Sequence, residues 1–261
     1  MRRAWVPLAA LVLVAAVAPV LAPYAPDAID LAHRREGPGL AHWFGTDDLG
    51  RDVFSRVLFG GRVSIAIGLL SAAVAAGLGV ALGAAAGYAG GWTDTVLMRG
   101  TDAMLSIPRL LLLMVAAATL QPSVPALVLL VGAVGWMETA RVTRTAVRGL
   151  VVREFVVASL AAGAGHLRIV WRHLLANASG AIRTAAVMAV GRAILVESAL
   201  SFFGVGVQPP DASWGSMLYQ AQAAVATEPW LALFPGACIV LTVGTLNAFA
   251  DRAEDTRSQP G

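Results

Sequence analysis

The stretch REFVVASLAAGAGHLRIVWRHLLAN, residues 153–177, decides the fold because it carries charge and lies between two long apolar runs. Neighbouring membrane helices need only a short connection, so an insert of this length predicts a structured element outside the bilayer. Gly163 predicts a residue in the left-handed conformation that ends the first of two short helices, and Gly165 adds backbone flexibility. A helix–glycine–helix element of this kind is suited to docking into a groove on another protein.

The second predicted helix of this 153–177 loop is amphipathic. Its apolar residues recur at i, i+3, i+4 and i+7, and they are Leu167, Val170, Trp171 and Leu174. Arg168 and Arg172 lie beside that stripe at i and i+4. The pattern predicts one apolar helix face flanked by positive charge.

The composition predicts an all-α, polytopic membrane protein. Apolar residues make up 57% of the chain and charged residues 13%, whereas soluble domains have roughly 25% charged residues. A mean hydropathy of +0.71 over 261 residues requires several spans. The readable apolar runs are 4–22, 63–88, 107–120, 124–140, 180–203 and 229–250. Because a span needs about 20 residues, we expect about six transmembrane helices, the run 107–120 being the shortest.

The residue inventory excludes several kinds of chemistry. All basic side chains other than histidine are arginine, so a phosphate-binding P-loop and lysine Schiff-base chemistry are both excluded. No GxSxG or HExxH pattern occurs, and a nucleic-acid interface would need a basic soluble surface. We therefore predict no catalytic residue, no metal ligand and no nucleic-acid partner. The lone Cys238 lies within the last apolar run and is expected to pack as a small hydrophobe.

The chain divides into four predicted segments. Residues 1–22 form a first transmembrane helix, with a cleaved signal peptide as the less favoured alternative. Residues 23–61 form an external segment whose amphipathic helix, capped by Asp47 or Asp48, lies along the outer membrane surface. Residues 62–250 form a core of five transmembrane helices that includes the 153–177 loop. Residues 251–261 form a cytoplasmic tail.

Arginine placement orients the chain. Between the spans, arginines are concentrated on the side that carries both termini and the 153–177 loop, which predicts that this side is cytoplasmic. Within the second run, Gly79, Gly83 and Gly87 form a GxxxGxxxG row. Such a row allows close helix approach, and we expect it to serve packing within the chain rather than a subunit interface.

Four blocks in order carry a family resemblance. They are WFGTDDLGRDVFSRVLFGGRVSIAIG at 43–68, GGWTDTVLMRGTDAMLSIPRLLLLM at 90–114, the 153–177 loop with its approach from 136, and ILVESALSFFGVGVQPPDASWGSML at 194–218. Through them the chain resembles the permease subunits of ABC importers of the dipeptide, oligopeptide and nickel class, specifically the second, C-type permease. In that family the 153–177 loop corresponds to the EAA loop, which docks into the ATPase.

The resemblance implies a bacterial inner-membrane importer with separate parts. A second permease subunit completes the pathway, two ATPase subunits use ATP and magnesium, and an extracytoplasmic binding protein delivers solute. The chain itself would bind no cofactor, contact membrane lipid and perform no chemistry. The ATPase-coupling positions that match are Glu154, Ala158, Gly163, Arg168, Arg172, His173 and Asn177. The other signature positions that match are Gly45, Thr46, Asp47, Gly50, Arg51, Asp52, Asp94, Arg99, Asp102, Pro108, Glu197, Pro209, Pro210, Trp214 and Gly215.

Two departures from the family concern the loop. Val157 stands where a second Glu is usual, and Ala176 stands where Pro is usual. The first removes a possible polar contact to the ATPase, and the second removes a fixed φ before the next span.

The resemblance implies short peptides as the default substrate, with nickel chelates or other small solutes as less favoured alternatives. We regard His33 and His42 as loop histidines without a ligand role.

Two rival functions remain open from the sequence. A self-sufficient secondary transporter would need ionisable residues near the middle of the membrane and broken helices around them. Arg192 is the clear intramembrane candidate, and we expect it to pair with another helix or a partner subunit rather than line the pathway. A membrane scaffold or enzyme, the second rival, would leave the 153–177 loop unexplained.

Overall fold

The computed structural model describes residue 13 and residues 16–258, with side chains up to residue 251. This part of the chain is helical and contains no strand, only an isolated bridge between Thr46 and Asp52. The helices are α1 (Val53–Ala89), α2 (Gly91–Ser106), α3 (Arg109–Leu120), α4 (Val124–Ala133), α5 (Met137–Val151), α6 (Glu154–Ala161), α7 (His166–Phe202), α8 (Trp214–Ala221) and α9 (Trp230–Ser258). Most of the predicted first helix, residues 1–22, and the end of the tail lie outside the described residues.

Helix α1 begins later than the sequence predicted and absorbs two predicted elements. Its N-cap is Asp52, whose carboxylate accepts a hydrogen bond from the Ser55 N–H at 2.7 Å. Asp47 cannot serve as the cap because its carboxylate accepts from the Arg51 N–H inside a tight turn. The separate amphipathic helix expected within 23–61 is therefore absent. Residues 23–52 are turns with a short 3₁₀ segment, and a continuous 37-residue helix follows.

The glycine row of α1 packs against α5 with no space for side chains. A methyl group at Gly83 would lie 2.3 Å from the Ala140 carbonyl oxygen, and one at Gly87 would lie 2.7 Å from that of Arg144. Gly79 faces α5 in the same way. The prediction that Gly79, Gly83 and Gly87 serve packing within the chain is confirmed.

Five of the six predicted spans lie within the described residues, where the structure has three to five helices or bent helix pairs that could cross a membrane. Three helices are long and apolar enough to cross a membrane: α1, α7 and the first 22 residues of α9. Helices α2 and α3 together form one further candidate with a bend of 77°, and α4 and α5 form another with a bend of 44°. The described chain therefore has three spans, or five if each bent pair crosses. The six-span count remains a prediction.

The bend between α2 and α3 is built around a proline. Ser106 is the last residue of α2, and its hydroxyl donates to the Ala103 carbonyl at 2.7 Å. Pro108 occupies the N-cap position of α3. Proline fixes its own φ and restricts the residue before it, so the chain turns sharply here.

Helix α7 joins two elements that the sequence separated. The second helix of the 153–177 loop and the next span form a single 37-residue helix, with a π-helical segment at Ile169–Leu175. Ala176 has ordinary helical angles, φ −59° and ψ −46°, and continues the helix. The helix continues into the span because no residue there opposes helical φ and ψ.

Candidate functional site

The turn at Gly163 ends α6 in a regular way. Gly163 has φ +81°, its N–H donates to the Leu160 carbonyl at 2.9 Å, and the Ala164 N–H donates to the Ser159 carbonyl at 3.0 Å. This pair of bonds is a Schellman motif, in which a left-handed residue satisfies the last free carbonyls of a helix. A methyl group at Gly163 would meet no atom within 4 Å. Glycine is therefore required for its backbone conformation and not for lack of space.

The 153–177 loop is fastened to the ends of α1 and α5 by a small apolar core. The fully buried members are Val147 of α5, Val156 of α6, and Ile169 and Leu174 of α7, and they pack with Ala84 of α1. The Tyr88 hydroxyl adds a hydrogen bond to Nδ1 of His166. Because α1, α5, α6 and α7 share one core, displacement of the loop also displaces the ends of these helices.

The apolar stripe predicted for the second loop helix is split. Leu174 is buried in the core, whereas Leu167 is 78% exposed and Trp171 is 70% exposed. The π-helical segment explains the difference, because its wider turns shift residues away from a spacing of 3.6. Leu167 and Trp171 form part of an exposed apolar surface instead of an inward face.

Charge surrounds this exposed surface. Arg168 and Arg172 are exposed on α7, and Glu154 and Ala158 are exposed on α6. Val157, which replaces the family's second Glu, is also exposed. The surface thus combines bulky apolar groups with guanidinium groups, a composition typical of binding hot spots.

Two further loop residues stabilise the element from within. The His173 ring lies 6.3 Å, centroid to centroid, from the Phe155 ring. The Asn177 side-chain amide donates to the His173 carbonyl at 2.6 Å. All seven loop residues predicted from the sequence therefore lie in one helix–turn–helix element.

The aspartates of the second signature block bind arginines of α5. Asp94 is buried at the start of α2, and its Oδ2 accepts from Arg144 Nη2 at 2.5 Å and from Arg148 Nη1 at 2.6 Å. Asp102 pairs in the same way with Arg141 Nη2 at 2.5 Å. These ion pairs fasten α2 to α5. The spacing of the arginines could not reveal them, because their partners lie 39 to 54 residues away.

Glu197 is the centre of a buried polar cluster on α7. Its carboxylate accepts from the Ser201 hydroxyl at 2.7 Å and from the Ser64 hydroxyl of α1 at 3.1 Å. The Ser64 oxygen in turn accepts from the Trp214 N–H at 3.1 Å, and the Trp214 indole donates to the Val57 carbonyl at 2.9 Å. A carboxylate without solvent access must have such partners. The cluster ties α7, α1 and α8 together.

The fourth signature block closes this cluster. A methyl group at Gly215 would lie 2.5 Å from Ser198 Cα, so only glycine fits where α8 meets α7. The Pro209–Pro210 bond is cis and lies in the connection between the two helices. These signature residues therefore position α7 and α8 relative to each other.

The first signature block is a tight turn that starts α1. Gly45 and Gly50 have φ +76° and +75°, and a methyl group at Gly50 would lie 1.7 Å from the Asp30 carbonyl oxygen. Asp47 binds Arg51 Nε at 2.7 Å, and the Thr46 hydroxyl donates to the His33 carbonyl at 2.5 Å. The turn packs on the chain's own helices, and the Phe44 ring stacks on Phe234 of α9 at 3.7 Å. Arg99, the remaining arginine of the signature, is exposed on α2 and has no ion pair within the described residues.

The two histidines of the external segment bind carboxylates. His33 Nδ1 lies 2.8 Å from Asp30 Oδ2, and this contact raises the pKa of His33 and lowers the pKa of Asp30. His42 Nδ1 lies 2.9 Å from Asp52 Oδ1, which joins it to the cap of α1. The described residues contain no group of three or more side chains that could hold a metal ion.

Arg192 pairs with a neighbouring helix, as expected. Its Nε lies 2.8 Å from Oε2 of Glu138 on α5, so its partner is not Glu197 of its own helix. Arg109, at the start of α3, faces the same pair. Sequence pattern alone did not indicate that Arg109 or Glu138 would join Arg192, because their proximity depends on the bends between α2 and α3 and between α4 and α5.

Comparison with known proteins gives one consistent result. A family model described as "Binding-protein-dependent transport system inner membrane component" matches residues 79–256. The chain is 40% identical over 239 residues to a probable D,D-dipeptide transport system permease protein of Escherichia coli K12, covering 91% of this chain and 80% of the relative. It is 37% identical over 239 residues to a putative peptide permease protein of Brucella suis, covering 91% and 79%. It is 36% identical over 244 residues to a dipeptide transport system permease protein of Alkalihalophilus pseudofirmus, covering 94% and 80%.

Proposed function

Because the chain belongs to the family of inner-membrane components of binding-protein-dependent transport systems, and is a permease subunit of an ABC importer, we propose that it moves short peptides. It is a multi-pass membrane protein. The relatives that match it over nine-tenths of its length are named for peptide and dipeptide transport. Two permease subunits of this kind would form the pathway, and an extracytoplasmic binding protein would deliver the peptide.

The geometry of the 153–177 loop is the observation that carries the mechanism. The loop presents exposed Val157, Leu167 and Trp171 beside Arg168 and Arg172, while its inner side shares a core with α1 and α5. An exposed apolar surface with a basic rim fits a groove on a partner protein. We propose that this partner is an ATPase subunit and that its movement is transmitted through the shared core.

The division of labour follows from the same proposal. Two ATPase subunits bind and hydrolyse ATP with magnesium, and this chain binds no nucleotide and catalyses no reaction. Both termini and the 153–177 loop lie in the cytoplasm, which places the loop on the side of the ATPases. Closure of the ATPases pulls the loop, and the spans move as packed bodies between two openings.

A self-sufficient transporter is disfavoured although two of its requirements are met. Such a protein needs ionisable residues near mid-membrane and broken helices. Arg109 and Glu138 follow the two bends, and Arg192 of α7 pairs with Glu138. Family membership indicates that ATP hydrolysis by separate subunits supplies the energy. In the proposed function these three residues therefore contact the solute and do not couple its transport to an ion gradient.

Reconstitution of the importer tests the proposal. The chain is co-purified with its second permease and two ATPase subunits, and placed in proteoliposomes with the purified binding protein. We expect uptake of alanyl-alanine only when ATP, ATPases and binding protein are all present. Uptake driven by an ion gradient without ATP would contradict the proposed function and favour the secondary transporter.

A further inference from the structure

Three ionisable side chains meet where both bent helix pairs break. Arg109 follows the 77° bend between α2 and α3, and Glu138 follows the 44° bend between α4 and α5. Arg192 of α7 pairs with Glu138 and lines a cleft together with Arg109. We call these three residues the bend cluster.

The position of the bend cluster along α1 gives its depth. Arg109 and Arg192 line one small cleft together with Ala72 and Ala75 of α1. Ala75 lies at the centre of the apolar run 63–88, so the cleft is near the middle of the membrane. Ionisable groups at this depth face the protein interior or a water-filled path, because contact with lipid is costly.

The bend cluster is not closed off inside the described chain. The Glu138 side chain is 45% exposed and that of Arg192 is 32% exposed. A half-exposed carboxylate near mid-membrane is costly against lipid, so it needs a polar contact beyond the Arg192 pair. The contact that fits the proposed function is the water-filled path between the two permeases.

The bend cluster also has unused hydrogen-bonding capacity. Arg109 Nε is buried and has no hydrogen-bond partner among the described residues. Glu138 Oε2 lies 2.8 Å from Arg192 Nε, but the N–H does not point at it, so the contact is an ion pair without a hydrogen bond. Buried polar groups of a purely structural cluster are normally satisfied.

The surroundings of Arg109 leave room for a small group. Arg109 and Glu138 line a cavity of about 190 Å³ together with Pro108 and Gly135. Arg109 Nη2 would lie 3.0 Å from a methyl group at Gly135, so glycine there makes space for the guanidinium. Two guanidinium groups face a single carboxylate, which leaves an excess of positive charge.

We infer that the bend cluster is a contact site for a carboxylate of the transported solute, with Arg109 as the binding group. A planar guanidinium recognises a carboxylate through two parallel hydrogen bonds. The Glu138–Arg192 pair positions Arg109 and keeps the net charge low, so that the solute is held weakly enough to leave. This inference rests on the proposed function, because a short peptide always supplies one terminal carboxylate.

The test compares two probes that differ only in that carboxylate. Uptake of alanyl-alanine and of alanyl-alanine amide is measured in proteoliposomes with the complete importer, at saturating loaded binding protein. For Arg109→Gln we expect the maximal rate for alanyl-alanine to fall about tenfold to a hundredfold, the usual worth of a hydrogen bond to a charged group. The rate for the amide should change by less than about twofold.

A matched control lies on the same helix as Arg192. Arg183 is half-buried on α7 and forms no ion pair within the described residues, and it does not line the cavity beside Arg109. Arg183→Gln should leave both rates unchanged. Arg109→Lys keeps the charge and should retain more alanyl-alanine uptake than Arg109→Gln.

Each outcome decides between the inference and its alternatives. Equal losses for both probes would show that Arg109 only supports the fold, and this would overturn the inference. Normal uptake by Arg109→Gln would overturn the inference while leaving peptide import intact. If the wild-type importer takes up neither probe with ATP and binding protein present, the proposed function fails and the inference with it. If the wild-type importer takes up alanyl-alanine but not its amide, the two Arg109 variants decide. Equal rates of alanyl-alanine uptake by Arg109→Lys and Arg109→Gln would then overturn the inference.

Discussion

Replacement of Gly163 by valine tests whether the 153–177 loop couples ATP hydrolysis to transport. Gly163 has φ +81°, and a Cβ there would meet no atom within 4 Å. The whole effect of valine is therefore backbone strain, about 1–2 kcal/mol for a left-handed residue with a side chain. Docking of the loop must overcome that penalty, which corresponds to a reduction of about 5–30-fold in the bent conformation.

The assay is alanyl-alanine uptake and substrate-stimulated ATP hydrolysis by the complete importer in proteoliposomes. We expect both rates to fall about 5–30-fold for Gly163→Val, with membrane insertion and pairing of the two permeases unchanged. Gly165→Val is the matched control, because Gly165 has φ −67° and equally open surroundings. It should behave as wild type. Normal transport by Gly163→Val with all subunits assembled would show that this loop is not the coupling element.

Two other predictions concern stability and orientation. Asp94→Asn should lower the melting temperature of the detergent-solubilised importer, because the variant loses a buried carboxylate with two arginine partners. Asp102→Asn removes an exposed ion pair and should change the free energy of unfolding by about 1 kcal/mol or less. Equal shifts for the two variants would contradict the assignment of Asp94 as the buried anchor of α2. In a Cys238→Ser background, Trp171→Cys should react with an impermeant thiol reagent from the cytoplasmic side and Asp211→Cys from the outside. Labelling of both from one side would refute the proposed topology.

Local chemistry explains what the sequence predicted well. The turn at Gly163 depends on one residue that readily adopts positive φ. The close contact of α1 with α5 depends on glycines such as Gly83, which have no side chain. Both are properties of a few neighbouring residues. They are therefore readable without knowledge of the fold.

Long-range and competing interactions explain what the sequence missed. Asp47 and Asp52 are both good caps in isolation, and only the turn around Asp47 decides in favour of Asp52. The pairing of Asp94 with Arg144 depends on a helix 50 residues away. The π-helical segment of α7 changes which residues share a helix face, and the spacing of apolar residues in the sequence does not reveal this change. The bend before Glu138 interrupts the apolar run 124–140, which composition alone presents as one span.

Helix α5 connects the two sites that the structure points to. Its first turn carries Glu138 of the bend cluster, and Val147 near its end is buried in the core of the 153–177 loop. Its 15 residues span about 22 Å at 1.5 Å per residue. Along this length α5 is held against the glycine row of α1, where even a methyl group at Gly83 would collide with the Ala140 carbonyl. A close-packed helix of this kind moves as a rigid body and does not stretch. Displacement of the loop by the ATPase would therefore move Glu138 relative to Arg109, and the positive potential that Arg109 presents to the solute would change with each ATP cycle.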